Sequence, residues 1–248
     1  MNQTLKNKRA LVTGGSRGIG AAIVRRLAAE GADVALTYSS SPDRANAIAM
    51  AAQALGVRAL PIQADSADAT AVMTAVERTV AELGGIDILV NNAGIAVIAA
   101  IDDVKLADFD RNLAINVRAV FVATQAAIRH MKEGSRIINI GSTNAERMPF
   151  AGGAIYAMSK SALQGFVKGV ARDLGARGIT INNVQPGPVD TDMNPANSDF
   201  AAMLKRQFMA LPRYASADEI AGMVAYLAGP EAGYITGASL TIDGGFSA

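Results

Sequence analysis

The sequence predicts an α/β fold, a mostly parallel sheet covered by helices on both faces, and two observations predict it. Short apolar runs rich in β-branched residues alternate with longer Ala-rich stretches, the pattern of buried strands joined by crossover helices. The first run also ends in a glycine-rich turn, Thr13-Gly14-Gly15-Ser16-Arg17-Gly18-Ile19-Gly20, that leads directly into a helical stretch. Strands are expected at 9–13, 33–37, 58–63, 86–90, 136–140, 180–184 and 240–242. Gly31, Gly56 and Gly84 follow Ala- and Leu-rich segments, where a left-handed residue stops a helix. Ser41 before Pro42 reads as an N-cap with proline in the first turn, and Asp65 with Ser66 as the opening of the next helix. The stretch that begins at Pro186 carries Pro, Gly, Asn and Met and reads as a loop with short helices over 187–211, the place for a substrate lid.

Composition bounds the function. A chain of 248 residues with net charge +1 can bury a large core in one domain, taken as 1–248. Charged residues are 18 % and spread along the chain, so no basic block calls for a nucleic acid polymer. No apolar run reaches the roughly 18 residues of a spanning helix, and the polar stretch 1–9 lacks the apolar centre of a signal peptide. With no Cys there is no thiolate chemistry or cysteine metal site, which fits the cytoplasm. A single histidine, His130, argues against a His-based triad or a multi-His metal site.

In the glycine turn, Gly14, Gly18 and Gly20 permit a tight bend and let backbone N–H groups approach a pyrophosphate, with the helix N-terminus adding partial positive charge. Ser16, Arg17 and Ile19 belong to the same turn. A carboxylate closing the second strand would accept from an NAD ribose and repel a 2′-phosphate. None stands there before Asp43. Ser39 and Ser40 offer hydroxyls and backbone donors instead, and Arg17 a charge-assisted one, which favours NADPH over NADH. The same serines also suit the start of the helix at Pro42.

Tyr156 and Lys160 stand four apart in an Ala-rich helical segment, which puts both on one face. A phenol has a reference pKa of about 10. A neighbouring ammonium favours phenolate and makes the pair a usable general acid/base. Ser142 ends the fifth strand, where side chains border the ligand crevice and a hydroxyl can meet a developing oxyanion. Asn116 lies inside an apolar helical segment. Its buried amide needs partners, either a water in a relay to Lys160 or a local helix distortion.

These pieces meet in a known order. The glycine turn, Asp65, Asn91-Asn92-Ala93-Gly94, Asn116, Ser142, Tyr156 with Lys160, Pro186-Gly187 with Thr191, and Ile242-Asp243-Gly244-Gly245 together resemble the short-chain dehydrogenase/reductase family over almost the full length. The resemblance implies a single Rossmann-type domain with a seven-stranded parallel sheet and a catalytic tetrad of Asn116, Ser142, Tyr156 and Lys160. It implies an oxidoreductase in which the tyrosine protonates a ketone or aldehyde oxygen, or takes the proton back from the alcohol, while the lysine also holds the nicotinamide ribose of NADP(H). By the same resemblance Asp65 meets the adenine edge, and Asn92, Ala93 and Gly94 line the groove. Pro186, Gly187, Val189 and Thr191 pack against the nicotinamide, Asn91 is a contact between strands, and the protein is a homotetramer.

Within the family the motifs resemble the bacterial 3-oxoacyl-acyl-carrier-protein reductases. More closely, through Gly141-Ser142-Thr143-Asn144, Arg147-Met148-Pro149 and the run from Val184 to Asn197, they resemble a branch of cyclic-di-GMP-binding biofilm dispersal mediators. That branch implies an alternative function, a protein acting mainly by binding cyclic-di-GMP in the same groove rather than as a working enzyme, although the chain holds no Arg-x-x-Asp, a short motif of other cyclic-di-GMP sites. The expected substrate wall is Asn144, Met148, Met193 and Phe200, joined by Ile95, Val97, Phe150, Met203, Leu204 and Phe208. It is mostly apolar and adaptable and suits a hydrophobic carbonyl compound.

Overall fold

Seven parallel strands form one sheet in the order β3-β2-β1-β4-β5-β6-β7. They are β1 Arg9–Val12, β2 Asp33–Tyr38, β3 Ala59–Gln63, β4 Ile88–Asn91, β5 Arg136–Ile140, β6 Thr180–Pro186 and β7 Ser239–Ile242. Each begins and ends within two residues of its expected bounds. The computed structural model describes residues 3–248; Met1 and Asn2, included in the expected domain span, lie outside the described residues.

Strand alternation builds two cores. Val12, Val34, Leu36, Val90, Ile138 and Val184 pack on one face with helices α1 (Gly18–Ala29), α2 (Pro42–Gln53) and α8 (Ala217–Ala228). Their neighbours Leu11, Ala35, Leu89, Ile137 and Ile181 point the other way, onto α3 (Ala69–Leu83), α5 (Ala119–Ala127) and α6 (Ala154–Gly175). Residues i and i+2 share a face of a strand, so both faces must be apolar, and the strands read as continuous apolar runs. Between α4 (Leu106–Leu113) and α5 the helix widens into a π-turn, Ala114–Arg118.

The helix ends separate what local sequence decides from what it leaves open. Gly31, Gly56 and Gly84 take φ of +93°, +87° and +81°, as expected of helix stops. Ser41 precedes α2 with Pro42 in the first turn, but its side chain makes no capping bond. The expectation that Asp65 and Ser66 open α3 is corrected. Asp68 is the cap, its carboxylate accepting from Thr70 and Ala71 N–H at 2.8 and 3.2 Å, because only that position reaches the unpaired donors of the first turn. Asp65 instead accepts from Ala67 N–H in the preceding turn.

The irregular stretch after β6 carries α7 (Asp199–Gln207). Ala201 and Leu204 bury against Tyr214 and Phe246, with Met203 and Phe208 packed around them. Three of the residues expected in the substrate wall, Met203, Leu204 and Phe208, therefore form the lid's own small core. No helix among the described residues is long and apolar enough to cross a membrane.

Candidate active site

A cleft of about 330 Å³ opens at the carboxyl ends of the strands, beside the β1/β4 junction where the strand order reverses. This is where open α/β sheets bind ligands. The glycine turn forms its floor. Gly14 N–H donates to Thr37 Oγ1 at 3.0 Å, and Gly15 N–H to the Thr37 carbonyl at 2.9 Å. Gly14 and Gly18 sit at φ +65° and +53°. A Cβ on Gly20 would run into the Gly14 carbonyl oxygen and stand 2.5 Å from Asn92 Nδ2. Asn92 ties the turn down, donating to the Thr13 and Gly14 carbonyls at 2.9 and 3.1 Å. Arg17 precedes α1 without a side-chain cap, and no acidic residue stands in the first turn. The first residues of α1 thus line the cleft with N–H groups that no side chain caps, an arrangement suited to an anion.

Gly14, Ser16, Arg17, Gly18, Ile19, Gly20, Ser39, Asp65, Asn92, Ala93, Gly94, Pro186, Gly187, Val189 and Thr191 all line the cleft, as expected. Ser40 does not. The chain bends after Tyr38, and of two successive residues there only Ser39 turns inward. The cleft wall also includes Thr37, Arg111, Asp192 and Asn194, none of which was expected. Thr37 had a signal, a hydroxyl at a strand end opposite the glycine turn. Arg111, paired with Asp65 at 3.7 Å, had none, since it reaches the cleft only through the docking of α4. Asp192 pairs with Arg44 of α2 at 2.8 Å, so both cleft carboxylates are matched by a guanidinium, and Arg17 is the cleft-lining guanidinium without a carboxylate partner among the described residues.

Ser142, Tyr156 and Lys160 line the same cleft. Ser142 sits just past β5, its Oγ donating to Asn144 Oδ1 and accepting from Asn144 N–H, each at 3.1 Å. Lys160 is buried and its Nζ donates to the Ile140 carbonyl at 2.8 Å, 5.8 Å from the centre of the Tyr156 ring. Burial lowers the Lys160 ammonium to about 8. For Tyr156 the expected direction is corrected. Burial raises the phenol above its usual pKa, and only the Ser142 hydrogen bond lowers it. Desolvation disfavours phenolate, and the nearby ammonium is engaged by a neutral carbonyl instead.

Asn116 is almost fully buried and does not line the cleft. It occupies the π-turn, its Oδ1 accepting from Ile95 N–H at 2.9 Å. Its Nδ2 donates to the Ile95 carbonyl at 2.9 Å and to Ser159 Oγ at 3.0 Å. Asn116 thus stands in a local helix distortion while its amide is partnered by Ile95 and Ser159. A Cβ on Gly94 would lie 3.4 Å from both Asn116 Oδ1 and Lys160 Nζ, so glycine lets the chain pass between them and the cleft. Asn91 joins β4 to β5 as expected, donating to Asn139 Oδ1 at 2.9 Å.

Of the expected substrate residues Met193 lines the cleft, and Ile95 beside it. Asn144, Met148 and Phe200 do not. Asn144 Nδ2 turns to the Arg147 carbonyl and Met148 Sδ at 3.4 and 3.3 Å, Met148 covers Gly153, and Phe200 stacks edge-on against Phe150 at 5.3 Å. Short-range packing within 144–153 and across to α7 occupies these side chains. His130, at a helix end, pairs with Glu77 at 3.1 Å, away from the cleft.

The Lys160 shift carries a stability consequence. The unfolded chain holds this proton up to its usual 10.5 and the folded chain only to about 8, so stability rises with pH between those values and is flat below. Lys160→Met is expected to remove that rise, worth up to roughly 3 kcal/mol, in urea unfolding followed from pH 7 to 10.5. Equal pH slopes in parent and variant would contradict the buried ammonium.

A doubly wound parallel sheet with a glycine-turn cleft and a Ser, Tyr and Lys wall defines a dinucleotide-dependent oxidoreductase class, and the comparisons agree. The family described as Enoyl-(Acyl carrier protein) reductase matches residues 14–247. A short-chain dehydrogenase/reductase from Serratia marcescens superposes at TM-score 0.97 with 64 % identity, covering 99 % of this chain and all of that one. A Burkholderia cenocepacia short-chain dehydrogenase in complex with NADP superposes at 0.97 with 56 % identity over 99 % and 100 % of the two chains. The Escherichia coli cyclic-di-GMP-binding biofilm dispersal mediator protein is 52 % identical over 97 % of this chain and 98 % of its own. The chain belongs to the short-chain dehydrogenase/reductase family of oxidoreductases.

Proposed function

We propose that the chain is an NADPH-dependent reductase of ketones or aldehydes, running in reverse on the alcohol, with Ser142, Tyr156 and Lys160 as catalytic residues and Asn116 behind them. The observation that carries it is that those three side chains line the same cleft as the uncapped start of α1. That end of the cleft fits a dinucleotide: unpaired N–H groups and a glycine floor for the pyrophosphate, Arg17 and Ser39 for a 2′-phosphate, and Asp65 beside the adenine. Ala93, Gly94, Pro186, Gly187, Val189 and Thr191 complete the hold, and the neighbour from Burkholderia cenocepacia carries NADP. NADPH, when bound, supplies the hydride.

The chain's own residues handle the proton. Burial keeps the Tyr156 phenol protonated at neutral pH, the form needed to donate to a carbonyl oxygen as charge develops there. Ser142 Oγ offers that oxygen a second hydrogen bond. The Lys160 ammonium, still mostly charged at pH 7 with a pKa of about 8, stabilises the tyrosinate left behind and offers a donor to the ribose hydroxyls. The apolar edge from Ile95 and Met193 favours an apolar substrate. We take 1–248 as one catalytic domain with 187–211 as its substrate loop. We also take the protein to be a cytoplasmic homotetramer; the exposed Phe121 and Met158 on α5 and α6 support the subunit contact.

A panel of carbonyl compounds followed by NADPH absorbance, with NADH in parallel, tests the reading. Arg17→Ala is expected to weaken NADPH by about 10-fold, the loss of one charge-assisted contact, and NADH hardly at all. Equal losses would remove Arg17 from the 2′-phosphate. A second reading, favoured by the name of the 52 % identical relative, is that the cleft binds cyclic-di-GMP. Titration with that nucleotide in competition with NADPH separates the two.

A further inference from the structure

The end of β5, which carries Ser142, is held by side chains of β6 as well as by its backbone. The ladder between the two strands ends with Gly141 N–H donating to the Val184 carbonyl at 2.7 Å. Beyond it Pro186 has no N–H to give. The next hold comes from Gln185, fully buried, whose Nε2 donates to the Ser142 carbonyl at 3.1 Å. Asn183, on the same face of β6 and equally buried, lies over Gly141 so closely that a Cβ there would stand 2.6 Å from its Oδ1. Thr143 Oγ1 closes the arrangement by donating to the Pro186 carbonyl at 3.3 Å.

Gln185 does not line the cleft, and its Oε1 has no hydrogen-bond partner among the described residues. An apolar side chain of the same size would avoid leaving a buried acceptor unpaired. The amide does one thing an apolar chain cannot: it fixes the carbonyl of the residue whose hydroxyl faces Tyr156. We propose that Gln185 is a positioning residue for the reaction, holding the Ser142 peptide so that Oγ meets the substrate oxygen and the Tyr156 phenol together. This rests on the catalytic role proposed for Ser142.

The test is a double-mutant cycle on the full chain with Gln185→Met, which keeps the volume and removes the donor, and Ser142→Ala. Gln185→Met is expected to lower kcat by about 10- to 100-fold, the scale of a misplaced catalytic group, with the Kd for NADPH, read by its fluorescence, unchanged. In the Ser142→Ala background the same substitution is expected to change kcat less than twofold, because what it positions is gone. Losses that multiply in the double variant, or a parent-like kcat in Gln185→Met, would overturn the proposal. So would a weakened Kd for NADPH, since the residue would then serve the Pro186-Gly187 cofactor loop. Gln185→Asn, too short by one methylene to reach the carbonyl, repeats the expectation. If neither variant folds, Gln185 belongs to the fold and the proposal fails. A Ser142→Ala variant with parent turnover would instead sink the assignment of Ser142 itself, whatever Gln185 does.

Discussion

Tyr156→Phe is expected to lower kcat about 10²- to 10⁴-fold, the usual contribution of a positioned acid/base, and to leave the Kd for NADPH within a factor of two. Only the phenolic oxygen goes. The ring fills the same half-buried space beside Lys160, so packing changes little. Removal of a hydroxyl whose ionisation burial already disfavours does not lower stability much, and a Tm within a few degrees of the parent is part of the expectation. Steady-state kinetics on the best substrate of the carbonyl panel, beside a fluorescence titration, decide it. A variant that reduces carbonyl compounds at the parent rate would leave the phenol without a role and return the cleft to nucleotide binding alone.

Gly20→Ala sets two magnitudes against each other. Gly20 lies within α1, where alanine is favoured over glycine by about 1 kcal/mol. Against this, the added Cβ runs into the Gly14 carbonyl and meets Asn92 Nδ2, and overpacking of such a contact costs about 1–3 kcal/mol. Displacing Asn92 also threatens its two hydrogen bonds to the turn, each worth about 0.5–1.5 kcal/mol. The clash wins. Stability is expected to fall by about 1–5 kcal/mol, and NADPH affinity by at least about tenfold as the N–H groups of the turn lose their alignment. Thermal unfolding with and without NADPH reads both. A raised Tm would show that helix propensity dominates and that the turn tolerates a side chain.

The sites differ in how far local sequence could reach them. Tyr156 and Lys160 were legible because the four-residue spacing of a helix puts them on one face wherever that helix docks. The glycine turn was legible because positive φ at Gly14 and Gly18 and the close approach at Gly20 each exclude side chains. Asn116 was legible as a buried amide but not as a π-turn, since its partners Ile95 and Ser159 lie 21 and 43 residues away. The substrate wall was least legible. Met148, Phe200 and Leu204 have the right chemistry, but apolar side chains pack on whatever apolar surface is nearest, and that surface was the lid and Gly153 rather than the cleft.

Sequence alone determined the sheet, its two apolar faces, the glycine turn that closes β1 and the placing of Tyr156 and Lys160 on one helix face, because each follows from a period or a φ restriction read within a few residues. Only the tertiary structure decided which hydroxyls and guanidinium groups reach the cleft, that Gln185 takes over where Pro186 ends the ladder, and that the Tyr156 phenol is pushed up rather than down. Those outcomes depend on burial and on distances between distant elements. Desolvation is a property of what surrounds a group, and no spacing along the chain encodes it.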